Sequence, residues 1–445
     1  MRTPSRTIRL TVLAMSLVGA NPPLGAQTES ALRPVADHHV HLQSLAVWHL
    51  FNDPLPFVTL PADLDRVLRE FERAWPARDN KIALSELFTD DGIFRYADDW
   101  VRGRPAIRMM LVGEATPLRM RAQEFEADDL LGHVAGAYGE YRDATWVDLG
   151  RYVLALRRTK GAPWRITVAT LVKTTPPAPR VSDPFSADDV IAQLDSAGMR
   201  YGVVLSLAYQ FGAAYRQVAN EAAKVRAEND WVGQQVARYP GRLVGFCSFN
   251  PLKEYALDEL SRCMRDSRLT GLKLHLTTSF VDLRNPEHVG RLRAVFRAAN
   301  ARRFPIVVHM RAMNPAYGRL DAEIFLRDVL ADAPDIPVQI AHLAGWGGYG
   351  DETDQALAVF AEAVASSDRR TANLYFDLSG VVSPGFSQER KQLIVNRIRQ
   401  IGVARMLFAV DGAEPPLTVW ANLKSLPLTD AELRAIATNL APFLR

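Results

Sequence analysis

Histidines and aspartates that close apolar segments are the residues of this sequence best suited to chemistry. His39 and His41 lie two residues apart in Asp37-His38-His39-Val40-His41. Side chains two apart on a β-strand point to the same face, so these two imidazoles can bind one ion together. Three further candidates each end an apolar run of their own, namely His309, His342 and Asp411. Imidazole and carboxylate are the usual ligands of a catalytic metal with one open position. The pattern predicts a metal-dependent enzyme, in the first place a hydrolase.

The elements that would position these side chains alternate regularly from residue 200 onward. Apolar, β-branched runs lie at 201–207, 243–249, 271–275, 306–309, 338–342, 374–378 and 406–411, and helical patterns lie between them at 256–265, 289–301, 322–330, 355–365 and 388–401. Such alternation predicts a parallel sheet. With the run at 37–42 there are eight strands, which favours an α/β fold of the (β/α)8 TIM barrel type over an open doubly wound sheet. In either fold the candidate ligands fall at the carboxyl ends of strands, where active sites lie.

One long interruption separates the first predicted strand from the second. Within it, helical patterns at 62–77 and 81–88 precede strands at 92–96, 118–130, 133–142, 147–158 and 164–173, and a Pro-rich segment follows at 174–179. Helices followed by an antiparallel meander are typical of an α+β domain. We therefore expect barrel residues at 27–60, an inserted domain at 61–175 and the rest of the barrel at 176–445.

The first 26 residues are typical of a secretory signal peptide. Three arginines precede an apolar run at 10–20, which is too short to span a bilayer, and small residues follow at a plausible cleavage site. A retained N-terminal anchor is the alternative. The mature protein is predicted to be secreted or periplasmic, with no membrane association once the signal is removed.

Charge and cysteine content restrict the function classes further. Without residues 1–26 the chain has equal numbers of basic and acidic residues, so nothing indicates a nucleic-acid or anionic-membrane partner. Only Cys247 and Cys263 are present. Export would permit a disulfide, but two buried thiols are the commoner state and are the expectation here.

Several segments together resemble the amidohydrolase superfamily, in particular its amidohydrolase-related branch of metal-dependent lactonases and decarboxylases. They are Asp37-x-His39-x-His41, the segment Tyr239 to Phe246, Gly271-Leu272-Lys273-Leu274-His275, Val308-His309, Ala341-His342-Leu343-Ala344-Gly345 and Phe408-Ala409-Val410-Asp411. The likeness covers residues 34–60 and 176–445, with every motif in family order. It implies a TIM barrel that acts on a small-molecule substrate.

The resemblance also implies roles for individual residues. His39, His41, His309 and Asp411 would bind one divalent metal, zinc in the first place, with manganese, nickel or iron as alternatives. Asp411 would move protons between water and leaving group, and His342 would hold the water or polarise a carbonyl. Without the likeness, His342 could be a core histidine and Asp411 could begin a turn.

Four more residues are candidates for contacts with substrate or with the ligands. Lys273 and His275 share a strand face; in some superfamily members a lysine here is carboxylated and bridges a second metal, while pairing with a carboxylate or contacting substrate is the simpler alternative. Arg311 could bind an anionic substrate group or lie exposed on a loop. Trp346 begins a Gly-rich loop that could cover the pocket. His38 should point away from the barrel interior and be structural, as should His49, His133 and His288.

The insert resembles a SnoaL-like domain, a cone-shaped α+β fold. Phe88-Thr89-Asp90-Asp91-Gly92-Ile93-Phe94 and Gly103-Arg104-Pro105-Ala106-Ile107 carry that likeness. Because it connects strands one and two, we expect it to border the active site or to form a homodimer contact.

Three functions remain open on the sequence. The first is hydrolysis of a lactone, ester or amide by metal-activated water. The alternative is non-oxidative decarboxylation of an aromatic or unsaturated carboxylic acid on the same metal. A third is an inactive barrel that serves as a binding or dimerisation protein.

Overall fold

Two β-sheets organise the part of the chain that the structure, a computed structural model, describes. That part comprises residues 32–52, 57–75, 81–96, 99–109, 117–142, 145–173, 185–312, 314–412 and 414–445. The predicted signal peptide at 1–26 and the Pro-rich segment at 174–179 lie outside these residues.

Fourteen strands and thirteen α-helices follow one another in these ranges. The strands are β1 (Ala36–Val40), β2 (Phe88–Tyr96), β3 (Asp99–Arg102), β4 (Arg119–Ala127), β5 (Leu131–Arg142), β6 (Thr145–Arg157), β7 (Arg165–Lys173), β8 (Tyr201–Leu205), β9 (Leu243–Ser248), β10 (Leu269–His275), β11 (Ile306–His309), β12 (Val338–Ile340), β13 (Leu374–Asp377) and β14 (Met406–Leu407). The helices are α1 (Leu45–Asn52), α2 (Ala62–Ala74), α3 (Lys81–Glu86), α4 (Arg104–Met109), α5 (Ala187–Ala197), α6 (Glu221–Ala237), α7 (Ala256–Cys263), α8 (Pro286–Ala301), α9 (Arg319–Ile324), α10 (Asp351–Ala365), α11 (Gln388–Ile401), α12 (Pro416–Leu423) and α13 (Asp430–Thr438).

The larger sheet is the predicted barrel. Its eight strands are parallel and lie in the order β1-β8-β9-β10-β11-β12-β13-β14. Backbone hydrogen bonds from His38 N to Phe408 O (3.0 Å) and from Asp411 N to His39 O (2.7 Å) join the chain after β14 to β1. The sheet is therefore nearly closed, which confirms the α/β class and the eight-stranded parallel barrel. Every residue of β1, β11, β12 and β14 is buried, as expected of strands covered on both faces.

Two barrel strands end earlier than the sequence predicts. β12 ends at Ile340, and His342, Leu343 and Ala344 follow in left-handed conformations with φ of 54°, 48° and 66°. β14 ends at Leu407, and Asp411 has φ of 69°. The expectation that His342 and Asp411 close their strands is wrong, because an apolar run does not reveal where the backbone leaves the ladder. Left-handed residues other than glycine are costly and cluster at functional sites.

The six-stranded sheet forms the inserted α+β unit, with strands in the order β3-β2-β7-β6-β5-β4. It has its own core, in which Phe71 of α2 packs with Phe94 of β2, and Tyr152 of β6 is also buried there. One detail differs from the expected antiparallel meander: β2 and β7 pair in parallel. Neither β3 nor α4 was predicted. The likeness to a SnoaL-like domain stays a prediction.

The two cysteines form a disulfide, contrary to the expectation of two free thiols. Cys247 lies in β9 and Cys263 ends α7, the helix that follows β9 in the chain. Because each βα unit folds back on its own strand, residues 16 apart in sequence come within a Cα–Cα distance of 6.4 Å.

No helix among the described residues is both long and apolar enough to cross a membrane. The predicted signal peptide lies outside the described residues and stays a prediction.

Glu228 on α6 is a buried acid outside the set of predicted site residues. Its side chain is almost fully enclosed, and Ser44 Oγ donates a 2.5 Å hydrogen bond to its Oε2. Burial raises the pKa of this carboxyl from 4.5 to about 7, although the hydrogen bond from Ser44 lowers it. The neutral form therefore stabilises the fold fully below pH 4.5, and this contribution is lost as the pH rises through about 7.

We expect the free energy of unfolding of the protein to fall by roughly 3 kcal/mol more than that of Glu228→Gln between about pH 5 and about pH 8. Glutamine keeps the shape of the side chain and does not ionise. Urea unfolding at the two pH values measures the difference. An equal pH dependence in both proteins would show that Glu228 is not held neutral.

Candidate metal centre

Three predicted ligands meet at the carboxyl end of the barrel. His39 Nε2 lies 2.8 Å from Asp411 Oδ1 and 3.2 Å from His41 Nε2, and His41 Nε2 lies 3.3 Å from Asp411 Oδ1. Ligand atoms from all three residues lie within 4.8 Å of one another. The alternation of side chains along β1 brings His39 and His41 to this face. The chain segment that follows β14 brings Asp411 to them.

His38 points to the other side of β1, as expected. Its Nδ1 donates to Phe408 O at 2.9 Å, and its Nε2 accepts from Ala441 N at 3.2 Å. Burial lowers the pKa of His38 to about 4. This neutral, fully bonded ring ties β1 to the end of the barrel.

Hydrogen bonds to other groups leave Nε2 of both strand-one histidines directed at the cluster. His41 Nδ1 donates to Leu205 O at 2.6 Å, and burial lowers the pKa of His41 to about 4. His39 Nδ1 donates to Asp377 Oδ2 at 3.1 Å. Burial and Lys273 lower the pKa of His39, but Asp411 and Asp377 raise it on balance. Although burial opposes it, His39 and His41 hold the pKa of Asp411 well below its usual range.

Asp377, at the end of β13, is the functional residue that the sequence reasoning missed. Its carboxylate is fully buried and accepts from His39 Nδ1, from Gln339 Nε2 at 2.8 Å, from His342 N at 3.0 Å and from Ser379 Oγ at 2.5 Å. These contacts, His39 above all, hold its pKa below its usual range against the effect of burial. A carboxylate that binds the far nitrogen of a ligand histidine fixes the ring and its tautomer. The signal was available: Asp377 closes an apolar run, as Asp411 does.

His342 lies beside Asp411, with its Nε2 at 3.6 Å from Asp411 Oδ2. Its Nδ1 is 2.9 Å from both the carbonyl and the hydroxyl oxygen of Ser379. Because the carbonyl can only accept, and the hydroxyl donates to Asp377, the proton of the neutral ring is on Nδ1. Nε2 then faces the cluster with a free lone pair. Burial lowers the pKa of His342, which favours this neutral form.

His309 stands next to the cluster in a stack of rings. Its ring centroid lies 4.0 Å from that of His275 at an angle of 8°, and His275 lies 4.9 Å from Tyr209 at 22°. The ring centroid of His342 is 5.1 Å away. His309 is buried, and within the described ranges neither of its ring nitrogens has a hydrogen-bond partner. Burial holds the pKa values of His309 and His275 well below the usual range.

Lys273 reaches the same point from β10. Its Nζ lies 3.1 Å from His39 Nε2, and only 1% of the residue is exposed, so the ammonium is enclosed with the ligand cluster. Burial lowers the pKa of Lys273 to about 8, although Asp411 and Asp377 raise it. The contact of Lys273 is with an imidazole, so carboxylation, pairing with a carboxylate and contact with substrate all stay predictions for this lysine.

Arg311 and Trp346 lie toward the rim. Arg311 Nη1 forms a 2.8 Å ion pair with Glu352, so the guanidinium already has a carboxylate partner. The Trp346 ring is 53% exposed and stands edge-on to His309 with centroids 5.7 Å apart. The guanidinium of Arg311 is 5.9 Å from the Trp346 ring. The two residues thus form one wall beside the cluster.

The donor set fits a divalent metal ion. His39, His41 and Asp411 supply two imidazoles and a carboxylate at mutual distances short enough for one ion. The two unpartnered nitrogens of buried His309 are a second sign, because polar atoms enclosed by protein are otherwise hydrogen-bonded. His309 does not belong to the three-residue group within 4.8 Å, and its ring neighbours are His275, His342 and Trp346. Its role as a ligand stays a prediction.

A protein-family comparison decides the relationship. The family model described as Amidohydrolase matches residues 36–439. The chain belongs to the amidohydrolase family. A comparison with curated proteins gives no match for this amidohydrolase.

Solved structures of similar fold include several decarboxylases. The 5-carboxyvanillate decarboxylase of Sphingomonas paucimobilis is 17% identical, with a TM-score of 0.42 over 56% of this chain and 79% of the other. The 2,6-dihydroxybenzoate decarboxylase of Rhizobium is 16% identical, with a TM-score of 0.38 over 58% and 87%. A dihydroxybenzoic acid decarboxylase of Polaromonas, determined with manganese and 2-nitroresorcinol bound, is 18% identical, with a TM-score of 0.39 over 58% and 85%.

Proposed function

We propose that this amidohydrolase is a metal-dependent decarboxylase of a small, planar, aromatic or unsaturated carboxylic acid. The observation that carries the proposal is the junction of two features: the ligand cluster of His39, His41 and Asp411, and the stack of Tyr209, His275 and His309 beside it. The cluster suits a cation that attracts a carboxylate. The stack presents flat rings, against which a planar molecule packs well.

The ion would be held by His39, His41 and Asp411, with His309 as the predicted fourth ligand. A divalent ion bound there would supply positive charge that attracts the carboxylate of the substrate. We propose manganese or zinc for this role. Asp377 and Leu205 O hold the two strand-one imidazoles in the tautomer that leaves Nε2 available.

Decarboxylation requires one proton at the carbon that loses carbon dioxide, since R–CO2⁻ + H⁺ gives R–H + CO2. His342 is placed to deliver it. Its Nδ1 is held by Ser379, so Nε2 alone takes up and releases the mobile proton beside Asp411. Asp411 stabilises the imidazolium that forms. Burial lowers the pKa of His342, which favours the neutral ring before the reaction.

Hydrolysis of a lactone, ester or amide is the second candidate. The observation that favours it is the exposure of the Asp411 side chain, 36% of which is open to solvent. A carboxylate that water can reach could receive a proton during attack. His342 would then polarise a carbonyl instead of supplying a proton to carbon.

Isotope incorporation separates the two reactions. The manganese- or zinc-loaded enzyme is incubated with hydroxybenzoic acids and aromatic lactones, in D2O or in H2¹⁸O. We expect carbon dioxide in step with substrate loss and one deuterium on the vacated ring carbon. Oxygen-18 in a new carboxyl group, without carbon dioxide, would instead establish hydrolysis.

Two variants locate the proton donor. We expect His342→Gln to lower kcat by about 10²- to 10⁴-fold. His133→Gln removes a half-exposed histidine of the insert and should leave kcat unchanged. If deuterium incorporation and kcat survive in His342→Gln, the proton comes from another group.

We also propose that the protein is exported and that the insert is a SnoaL-like module. The disulfide between Cys247 and Cys263 supports export, because such bonds persist in oxidising compartments. The arrangement of α2, α3 and α4 with a six-stranded sheet supports the second proposal. The insert is also proposed to form a homodimer contact. Sedimentation of the full chain and of a chain lacking 61–175 would test this.

A further inference from the structure

A cavity lies between α1 and α6, outside the ligand cluster. Its volume is about 290 Å³. Its walls are mostly apolar and are formed by Ser44, Leu45, Ala46, Phe211, Lys224, Ala227, Glu228 and Trp231. This size is close to the lower limit for small-molecule sites in proteins, and such sites are typically apolar with a few polar anchors.

Glu228 supplies a polar anchor, and one of its two oxygens has no partner among the described residues. The residue is only 2% exposed, and its Oε2 accepts from Ser44 Oγ. Its other oxygen, Oε1, is buried and has no hydrogen-bond partner. An enclosed carboxyl oxygen without a partner costs free energy, so a donor that reached this oxygen from the cavity would be bound more strongly than one at the surface.

On α6, the acid Glu228 lies between a charged residue and an aromatic residue of the cavity wall. Lys224, Glu228 and Trp231 are spaced by four and then three residues on α6, so they share one face of the helix. Trp231 is partly exposed and Phe211 is buried, and both line the cavity. Lys224 is exposed, so its charge is solvated and screened. Aromatic faces attract cations as well as apolar groups.

We propose that this cavity binds a small organic amine with an apolar body, with the ammonium on Glu228 Oε1 and the body against Trp231 and Phe211. An ammonium group donates to the free oxygen and neutralises the carboxylate. The apolar body replaces water on the walls. The site is separate from the proposed decarboxylation and does not depend on it.

Occupancy would be transmitted to the start of α1. Ser44 Oγ bonds Glu228 and also accepts from Val47 N at 3.1 Å, so it caps the first turn of that helix. Ser44 follows His41 by three residues in the chain. An amine bound to Glu228 would therefore act on the hydrogen bonds of Ser44, which fix the segment directly after β1.

Calorimetric titration of the full chain with three matched probes tests the proposal. Phenethylamine, 2-phenylethanol and 3-phenylpropionate share the aromatic body and differ in charge. At about pH 8, where Glu228 is mostly ionised, we expect saturable one-to-one binding of phenethylamine, binding of the alcohol that is weaker by roughly tenfold or more, and none of the acid.

Three variants complete the test. Glu228→Gln should weaken phenethylamine binding by roughly tenfold or more, since it removes the charge and keeps the shape. Ala227→Phe fills the cavity from an exposed helix position and should abolish binding. Asp258→Asn removes an exposed acid on α7 and should leave binding unchanged. Circular dichroism checks that each variant is folded. If Glu228→Gln does not fold, Ala227→Phe still tests the site.

Three results would overturn the proposal. They are no saturable binding of phenethylamine up to about millimolar concentration, equal affinity for phenethylamine and 3-phenylpropionate, and binding that survives in Ala227→Phe.

Discussion

Asp411→Asn is expected to lower kcat by about 10³-fold or more and to reduce metal retained after dialysis to a small fraction. Asp411 is the only carboxylate in the group that also contains His39 and His41. Its pKa is held well below the usual range, so it contributes a full negative charge to the cluster. Asparagine keeps the size of the side chain but offers a neutral oxygen, and a divalent cation loses most of the charge that balances it.

Metal content by elemental analysis and turnover with excess manganese or zinc measure this effect. Asp258→Asn is the matched control, because it removes an exposed acid from α7 and should change neither quantity. Full metal content together with unchanged kcat in Asp411→Asn would remove Asp411 from the centre.

Asp377→Asn is expected to weaken metal affinity by about ten- to hundred-fold and to destabilise the fold by roughly 3–5 kcal/mol. The carboxylate accepts from five groups, two of which are His39 Nδ1 and Gln339 Nε2. An asparagine amide would direct N–H groups at some of these donors. His39 would then lose the partner that fixes its tautomer, and buried donors would be left unpaired.

Asp321→Asn is the control that separates the loss of metal affinity from the loss of stability. Asp321 is also fully buried and is bonded to Arg284 at 2.9 Å, but it belongs to α9 on the outside of the barrel. We expect it to lower the free energy of unfolding without changing metal affinity. In Asp377→Asn, added metal should restore much of kcat while the stability loss persists. Equal metal affinity in the two variants would contradict the role assigned to Asp377.

The barrel could be predicted because its signals are local. Each strand is a short apolar run and each helix has its own periodicity, as at 388–401, where the predicted helix has the same ends as α11. The same reasoning failed where long-range contacts decide. The parallel pairing of β2 with β7 joins segments more than 70 residues apart, and no local pattern reports it. The disulfide has the same character, because the packing of α7 on β9 brings its two cysteines together.

The site was partly predictable for a related reason. His39 and His41 reveal themselves through their spacing, and the structure brings Asp411 and His342 to them. Asp377 has no histidine beside it in the local sequence, and its importance comes from hydrogen-bond donors on other elements, namely His39, Gln339 and His342. The left-handed backbone at His342 and Asp411 also escapes the sequence, because neither residue is a glycine.

Gln43 and Phe185 form an isolated antiparallel bridge, with Gln43 N bonded to Phe185 O at 3.0 Å. The chain segments before and after the second sheet thus meet at the barrel, and α1, which follows Gln43, still packs in the barrel core through Val47. During synthesis, β1 can pair with β8 only after the residues between them have been made, so the contacts of this strand pair are long-range. The same adjacency predicts that the second sheet can be deleted or replaced as a unit, with a linker from the end of α1 to Phe185, without changing the pairing of the barrel strands.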